Sequence, residues 1–271
     1  MKDVQNSEDT RGIAIDRVGV CDVRYPITVS VKPDIPDHKP GRQETIATID
    51  LSVDLPHHFK GTHMSRFIEI LNRHHGEISM DNIPGILDEL KKRLDAERSH
   101  IEISFPYFLN KAAPATGKKA QIDYNCCFIA ESGKTENDFI LKVEVPVTSL
   151  CPCSKEISEY GAHNQRGYVT IEVRTRKLDS GKWDFVWIEE LIEMAEQSAS
   201  APLYALLKRE DEKFVTEQAY DNPVFVEDLV RNVALRLKQD KRMTSYRVKT
   251  VNHESIHAHN AFAVVQSSNW A

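Results

Sequence analysis

The residues best suited to chemistry lie in one polar stretch, Val147 to Tyr168, which holds two of the chain's five cysteines and a histidine. Pro152 separates Cys151 from Cys153, and a residue before proline favours an extended conformation. Residues i and i+2 of an extended segment point to opposite sides, so one thiol is expected to face a site alone. His163 follows twelve residues after Cys151. A thiolate and an imidazole joined by a loop suit a transition-metal site or a Cys/His nucleophile pair.

We expect the other cysteines to have a structural role, because a single cysteine in an apolar run is most often a small buried hydrophobic residue. Cys126 and Cys127 stand in such a run, and we expect the same of Cys21. By contrast, Cys151 and Cys153 lie among proline, serine and lysine. A disulfide across one intervening residue is geometrically unfavourable, so these two thiols are the functional candidates.

A second cluster of candidates lies near the end of the chain, in the eight residues from His253 to Asn260. It places His257 and His259 on one face of a strand, or of the turn before it. Imidazoles on one face suit a metal or a proton shuttle. The same stretch contains Glu254, two residues before Ile256.

Carboxylates supply the third group of candidates. The segment Ala201–Asn222 is predicted to be a long acidic loop, and long loops are often functional. Glu212 and Glu217 lie there beside apolar residues and so could face inward. Glu227 opens the following helix, where a carboxylate also interacts favourably with the helix dipole.

The composition bounds the class of protein. The chain has 271 residues, of which 41% are hydrophobic. Its net charge of −6 argues against a general nucleic-acid or membrane-surface binder. No apolar run is long enough to span a membrane, and the N-terminus lacks the apolar core of a secretory signal. Five cysteines, two of them adjacent, indicate reduced thiols in the cytoplasm. Residues 1–12 are polar and are expected to be mobile.

The periodicity of apolar residues predicts an α+β protein made of two similar halves. Each half reads as two strands, two helices and two strands, with residues 13–135 in the first and 136–271 in the second. Short connections between paired strands predict antiparallel sheets with the helices on one face. The second half carries most of the candidate site. Its mixture of sulfur, nitrogen and oxygen ligands suits zinc, iron(II) or manganese better than magnesium or calcium.

Four motifs then resemble a known family. They are Pro146-Val-Thr-Ser-Leu-Cys-Pro-Cys-Ser-Lys-Glu-Ile-Ser, Gly161-Ala-His-Asn-Gln-Arg-Gly, Asp211-Glu-Lys-Phe-Val-Thr-Glu and Glu254-Ser-Ile-His-Ala-His-Asn-Ala. In this order they closely resemble the prokaryotic type IB GTP cyclohydrolase I family, and Lys60-Gly-Thr-His-Met-Ser-Arg agrees. The resemblance extends from about residue 15 to the end. It implies the tunnelling fold, in which two chains close a barrel and barrels stack into a homotetramer.

The resemblance also implies an activity: hydrolysis of GTP to 7,8-dihydroneopterin triphosphate and formate, the entry step to folate-type pterins. The implied metal is zinc or manganese, with iron(II) as a further option. Cys151 would be its thiolate ligand or a catalytically essential cysteine, and the other ligands would be His163, Glu212 and His257. Glu254 would be a ligand or a general base. For proton transfer the candidates are Cys153, His253 and His259.

Substrate contacts are implied in the same way. A buried carboxylate anchors the purine in tunnelling-fold enzymes, and Glu227 is the first choice for it here, with Glu217 second. Two parallel hydrogen bonds from the base would select guanine over adenine. The triphosphate contacts expected are Lys155, Arg166, His63 and Arg66, with a neighbouring chain as a further source.

Three alternatives remain open. An archaeal branch of the family uses iron(II) and makes a cyclic phosphate product. A nitrile-forming NADPH reductase of the same fold uses a cysteine nucleophile and needs no metal. A non-catalytic tunnelling-fold protein would bind GTP or a pterin and release no formate.

Overall fold

A computed structural model describes residue 5 and residues 7–33, 41–74, 82–134, 136–179 and 183–270. The strands are β1 Ile15–Ser30, β2 Arg42–Leu55, β3 Ser99–Ala112, β4 Lys119–Ser132, β5 Asn137–Leu150, β6 Asn164–Thr175, β7 Ala201–Pro202, β8 Met243–His253 and β9 Ala261–Gln266. The helices are α1 Met64–Arg73, α2 Ile83–Leu94, α3 Pro152–Ile157, α4 Ile188–Glu196, α5 Arg209–Asp221 and α6 Val226–Gln239. The predicted α+β class is therefore confirmed.

The strands are hydrogen-bonded in the order β1-β2-β3-β4-β5-β6-β8-β9, and β7 pairs with β5. The pairs β1–β2, β5–β6, β6–β8 and β8–β9 are antiparallel, as predicted. Buried and partly buried side chains alternate along β5: Val143, Val145 and Val147 are fully buried, and the residues between them are only partly buried. One face of this strand therefore belongs to the core.

The chain divides into two compact units. Of the described residues, the first unit takes those from 5 to 31, 41 to 106 and 127 to 140. The second takes residues 32, 33, 107–126 and 141–270. The predicted halves, residues 13–135 and 136–271, are defined by a repeated order of strands and helices and not by compactness. That division stays a prediction. Of the N-terminal segment predicted to be mobile, residues 1–4 and 6 lie outside the described residues, while Ser7 accepts a backbone hydrogen bond from Lys60.

In the first unit, β1 departs from a regular ladder. Its pairing with β2 shifts register between Val20 and Val23, and Asp22 adopts a positive φ of 57° while its amide donates to the Asp50 side chain. The bulge leaves Cys21 exposed, so the expectation of a buried Cys21 is wrong. Cys126 and Cys127 are buried, as predicted.

The second unit carries the predicted elements and three more: α3, β7 and α5. The helix α6 follows its apolar pattern, burying Leu229, Val233 and Leu237 against β8 and β9. The prediction of a loop across Ala201–Asn222 is wrong, since α5 occupies most of it. Within the described ranges, no helix is both long and apolar enough to cross a membrane.

The helix α5 is fastened by a carboxylate. Asp211 is fully buried and accepts hydrogen bonds from the Lys208 amide at 2.9 Å, the Ala115 amide at 2.9 Å, and the Thr116 amide and hydroxyl at 2.8 and 2.7 Å. Burial raises the pKa of Asp211, but these donors outweigh it and lower that pKa to about 2. The carboxylate thus caps α5 and binds it to the turn between β3 and β4.

We predict that Asp211→Asn lowers the melting temperature at neutral pH, because the amide replaces one acceptor oxygen with a donor. The folded pKa of Asp211 lies below its unfolded value of about 3.9, so its contribution is present above about pH 4 and is lost as the pH falls towards 2. The melting temperature of the variant should therefore fall less over that range. Thermal melts between pH 2 and 7 test this, with Asp221→Asn, at an exposed position, as the control. The prediction is contradicted if the melting temperatures of Asp211→Asn and of the native chain change equally with pH.

We also predict that Gly19→Ala destabilises the first unit. An added Cβ would lie 1.8 Å from the carbonyl oxygen of Leu51, so β1 and β2 would have to separate. Overpacking of this kind costs roughly 2 kcal/mol or more. Gly61→Ala is the matched control, because its nearest neighbour would be 3.7 Å away. Denaturation that places both variants at the same midpoint would refute the steric argument.

Candidate active site

The candidate site is built on the end of β5. Cys151 follows this strand and is extended, with φ −71° and ψ 117°, as its position before proline predicts. Pro152 then opens α3, so Cys153 lies in a helical turn and the expectation of a continuing extended segment is wrong. Cys151 is half-buried and Cys153 is exposed, so the two thiols have different environments.

Cys151 and His163 are neighbours, held by backbone hydrogen bonds. The amide of Cys151 donates to the carbonyl of His163 at 3.1 Å. Ser154 joins them a second time: its hydroxyl accepts from the His163 amide at 3.1 Å and donates to the Cys151 carbonyl at 3.2 Å. Gly161, with φ 122°, makes the turn between them in a conformation that favours glycine.

The imidazole of His163 is held by side chains that sequence reasoning did not single out. Its Nδ1 lies 3.0 Å from Oε1 of Gln165 and 3.3 Å from Oγ of Ser255. The contact with Ser255 brings the histidine-rich segment beside the Cys151 loop. Both residues belong to the motifs quoted above, but nothing in their spacing indicates that they share one ring nitrogen.

The histidine-rich segment is a turn and not a strand. β8 ends at His253 and β9 begins at Ala261, so the histidines at 257 and 259 lie between these two strands. His257 and His259 are exposed and their rings stack with centroids 5.2 Å apart, which agrees with their expected place on one side. Glu254 is half-buried, and the ring of His253 lies 5.0 Å from that of Tyr168.

The start of α6 reaches the same strand end. The amide of Val224 donates to the carbonyl of Leu150 at 3.0 Å, and the hydroxyl of Ser149 donates to the carbonyl of Val224 at 3.0 Å. Glu227 follows in the first turn of α6 with an exposed side chain. This carboxylate is therefore carried by a segment bonded to the residue before Cys151.

The remaining carboxylates lie on α5, where Glu212 and Glu217 are both exposed. The expectation that they face inward is wrong, because Asp211 takes the buried position in that first turn. Glu217 forms an ion pair with Lys213 at 3.8 Å.

Among the predicted triphosphate contacts, Lys155 donates to the carbonyl of Tyr220 and lies 4.1 Å from the centre of its ring. Arg166 is exposed and pairs with His253 across β6 and β8. His63 and Arg66 belong to the first unit, where His63 occupies the position just before α1 and Arg66 donates to the carbonyl of Arg93 at 2.9 Å.

A cavity of about 470 Å³ lies beside Arg166 within the second unit. Its walls include Asn125, Glu144, Tyr168, Pro202 and Tyr204. Asn125 donates to Glu144 at 3.1 Å, which gives this wall a held carboxylate. Sequence reasoning missed Asn125 and Glu144, since they alternate with core residues on β4 and β5 and show no motif.

No three histidine, cysteine, aspartate or glutamate side chains within the described residues are grouped so that they could hold a metal ion. Of the four predicted ligands, Cys151 and His163 are neighbours, and His257 lies in the turn that contacts His163 through Ser255. Thiolate and imidazole are donors that first-row transition ions favour, so the chemistry of these residues fits such an ion.

The fold has known counterparts. The uricase from Bacillus fastidious superposes with a TM-score of 0.59 at 9% identity, covering 93% of this chain and 92% of that one. Urate oxidase from Bacillus sp. TB-90 gives 0.56 at 10% identity, with 93% and 99% covered. These matches confirm the predicted tunnelling fold, and at such low identity they establish the fold alone.

Similarity at the level of sequence is far stronger. GTP cyclohydrolase FolE2 from Syntrophotalea carbinolica is 54% identical over 266 residues, covering 98% of this chain and 95% of that protein. GTP cyclohydrolase FolE2 2 from Dechloromonas aromatica is 53% identical over 265 residues, with 98% and 93% covered. The model of the family described as type I GTP cyclohydrolase folE2 matches residues 1–263. This chain therefore belongs to the type I GTP cyclohydrolase folE2 family.

Proposed function

We propose that this protein is a GTP cyclohydrolase that converts GTP and water to 7,8-dihydroneopterin triphosphate and formate, at the start of tetrahydrofolate and pterin synthesis. The observation that carries this proposal is the family match over residues 1–263, with relatives above 50% identity along nearly the whole chain. The narrower assignment to the prokaryotic type IB branch rests on the four motifs and is part of the proposal.

The reaction requires water to attack carbon 8 of guanine, the imidazole ring to open and formate to leave, after which the ribose rearranges and the pyrazine ring closes. A divalent ion, zinc or manganese with iron(II) as a further option, would supply an activated water. We propose Cys151, His163, Glu212 and His257 as its ligands. The support is the contact between the Cys151 and His163 segments and the position of the His257 turn beside them.

Proton transfers would fall to groups around this centre. Cys153 and His259 are exposed and Glu254 is half-buried, so all three are open to a substrate. Glu254 precedes Ser255, which contacts the ring of His163, and this position in the chain supports a role for Glu254. We propose these three for the acid–base steps, with His253 as a further candidate.

Glu227 is proposed as the guanine anchor, and Glu217 as the second choice. Two carboxylate oxygens can accept parallel hydrogen bonds from N1 and the 2-amino group of guanine, whereas adenine lacks that donor pair. The bond between Val224 and Leu150 supports Glu227, since it holds the start of α6 at the end of β5. Glu217 lies on α5 and is already paired with Lys213.

The triphosphate would be held by Arg166, Lys155, His63 and Arg66. Arg166 is best supported, because its side chain is exposed and borders the cavity. It also pairs with His253 across β6 and β8. We further propose that the protein is a cytoplasmic homotetramer in which barrels are closed by two chains, so that a neighbouring chain contributes to each site.

The first experiment measures formate and oxidised-pterin fluorescence from chelator-treated full-length protein with GTP, with and without manganese, zinc or iron(II). We predict metal-dependent product, a loss of at least about a thousandfold in Cys151→Ala, and native activity in Cys21→Ala, whose exposed thiol lies in β1. Folded protein that releases no formate with any of the ions would refute the hydrolase. A covalent thiol adduct without formate would indicate the nitrile reductase, and GTP binding alone a non-catalytic protein.

A second prediction separates the two anchor candidates. Glu227→Gln should reduce kcat/KM for GTP about 10- to 100-fold, because the amide loses charge and presents a donor to the N–H edge of the base; one charged hydrogen bond contributes about 1.5–3 kcal/mol. Glu217→Gln should stay within about twofold of the native enzyme. The opposite ranking in steady-state kinetics would transfer the role to Glu217.

A further inference from the structure

Behind the candidate site lies a layer of buried polar side chains. Ser149, Gln165 and Asn252 are 0%, 9% and 2% exposed, and they lie on adjacent strands, with Ser149 paired to Gln165 and Gly167 paired to Asn252. The amide of Asn252 donates to the hydroxyl of Ser149 at 3.0 Å. Buried polar groups are costly unless they are hydrogen-bonded, so a layer at this depth requires an explanation.

Gln165 links this layer to the site. Its Oε1 lies 3.0 Å from Nδ1 of His163, two residues earlier on the chain. A carboxamide oxygen accepts hydrogen bonds and cannot donate one. With the oxygen of Gln165 towards the ring, the bond requires a proton on Nδ1, and in the neutral ring the lone pair then belongs to Nε2.

Ser255 lies near the same nitrogen and could favour the opposite tautomer, with the proton on Nε2. Its hydroxyl lies 3.3 Å from Nδ1 and can donate as well as accept, so it could stabilise the other tautomer. Ser255 is exposed, however, so water competes for its hydroxyl, whereas Gln165 is buried and closer. The contact with the oxygen of Gln165 is the shorter and better shielded of the two, so it favours the Nδ1–H tautomer more than Ser255 opposes it.

We propose that Gln165 is a positioning residue that holds His163 as the Nδ1–H tautomer and so makes Nε2 its only lone-pair donor. The inference rests on the proposed function, in which His163 is a ligand. Outer partners of this kind fix the orientation of a histidine and raise its basicity, and their loss typically lowers metal affinity about 10- to 100-fold. The role is distinct from catalysis, since Gln165 acts through His163 alone.

The first test reads the tautomer directly. Full-length, metal-stripped protein labelled with ¹⁵N-histidine is measured at about pH 8.5, where an ordinary imidazole with a pKa near 6.5 is neutral. The signal of His163 is identified by its absence from His163→Gln. We expect the Nδ1–H tautomer in the native chain and in Ser255→Ala. An Nε2–H tautomer in the native chain overturns the proposal, even if the enzyme releases formate.

The second test uses two substitutions of similar shape. Gln165→Met removes the acceptor and should mix the tautomers and weaken manganese binding about 10- to 100-fold, whereas Gln165→Glu keeps an acceptor and should retain the Nδ1–H form. Gln266→Met, on the exposed side of β9, is the control and should match the native chain. Native tautomer and native affinity in Gln165→Met would overturn the inference. A native tautomer signature in a chain that never makes formate would sink the proposed function and leave the role of Gln165 on the ring standing.

Discussion

The site depends on how the last residues of β5 satisfy their backbone hydrogen bonds. A strand end that leaves a sheet exposes amides and carbonyls that need partners. Here three different segments supply them, by way of Ser200, Val224 and His163. The hydroxyl and amide of Ser200 bond Leu150 and Thr148, Val224 bonds Leu150, and His163 bonds Cys151. The same bonds that complete the strand therefore gather the loops that carry the candidate site.

This arrangement explains what could be predicted from sequence. Alternating residues identified the strands because one face of each is buried, as in β5. The helix α6 was predictable because its apolar residues recur with helical spacing. The helix α5 was not, because it buries only Asp211 and Ala219 and so has no apolar stripe. The helix α3 has six residues and no buried side chain, and its sequence reads as a loop.

Contacts between distant positions lay beyond sequence reasoning for a different reason. The bond between Val224 and Leu150, which are far apart along the chain, joins the start of α6 to the end of β5. The pairing of Gln165 with His163 depends on which face of β6 is buried and on where the strand begins. Motif resemblance proposed residues for the site, yet it carried no information about the side chains that orient them.

The attachment of α5 has a consequence for dynamics. A helix with a wide apolar face opens together with the core, but α5 buries only Asp211 and Ala219. Its attachments are the hydrogen bonds of the Asp211 carboxylate and the contacts of Lys155 with Tyr220. We therefore expect its free energy of local opening to be smaller than the global free energy of unfolding. Amide hydrogens of α5 should exchange with solvent well before those of β5. We therefore expect Glu212, which lies on α5, to be carried by a helix that opens more readily than the strand that leads to Cys151.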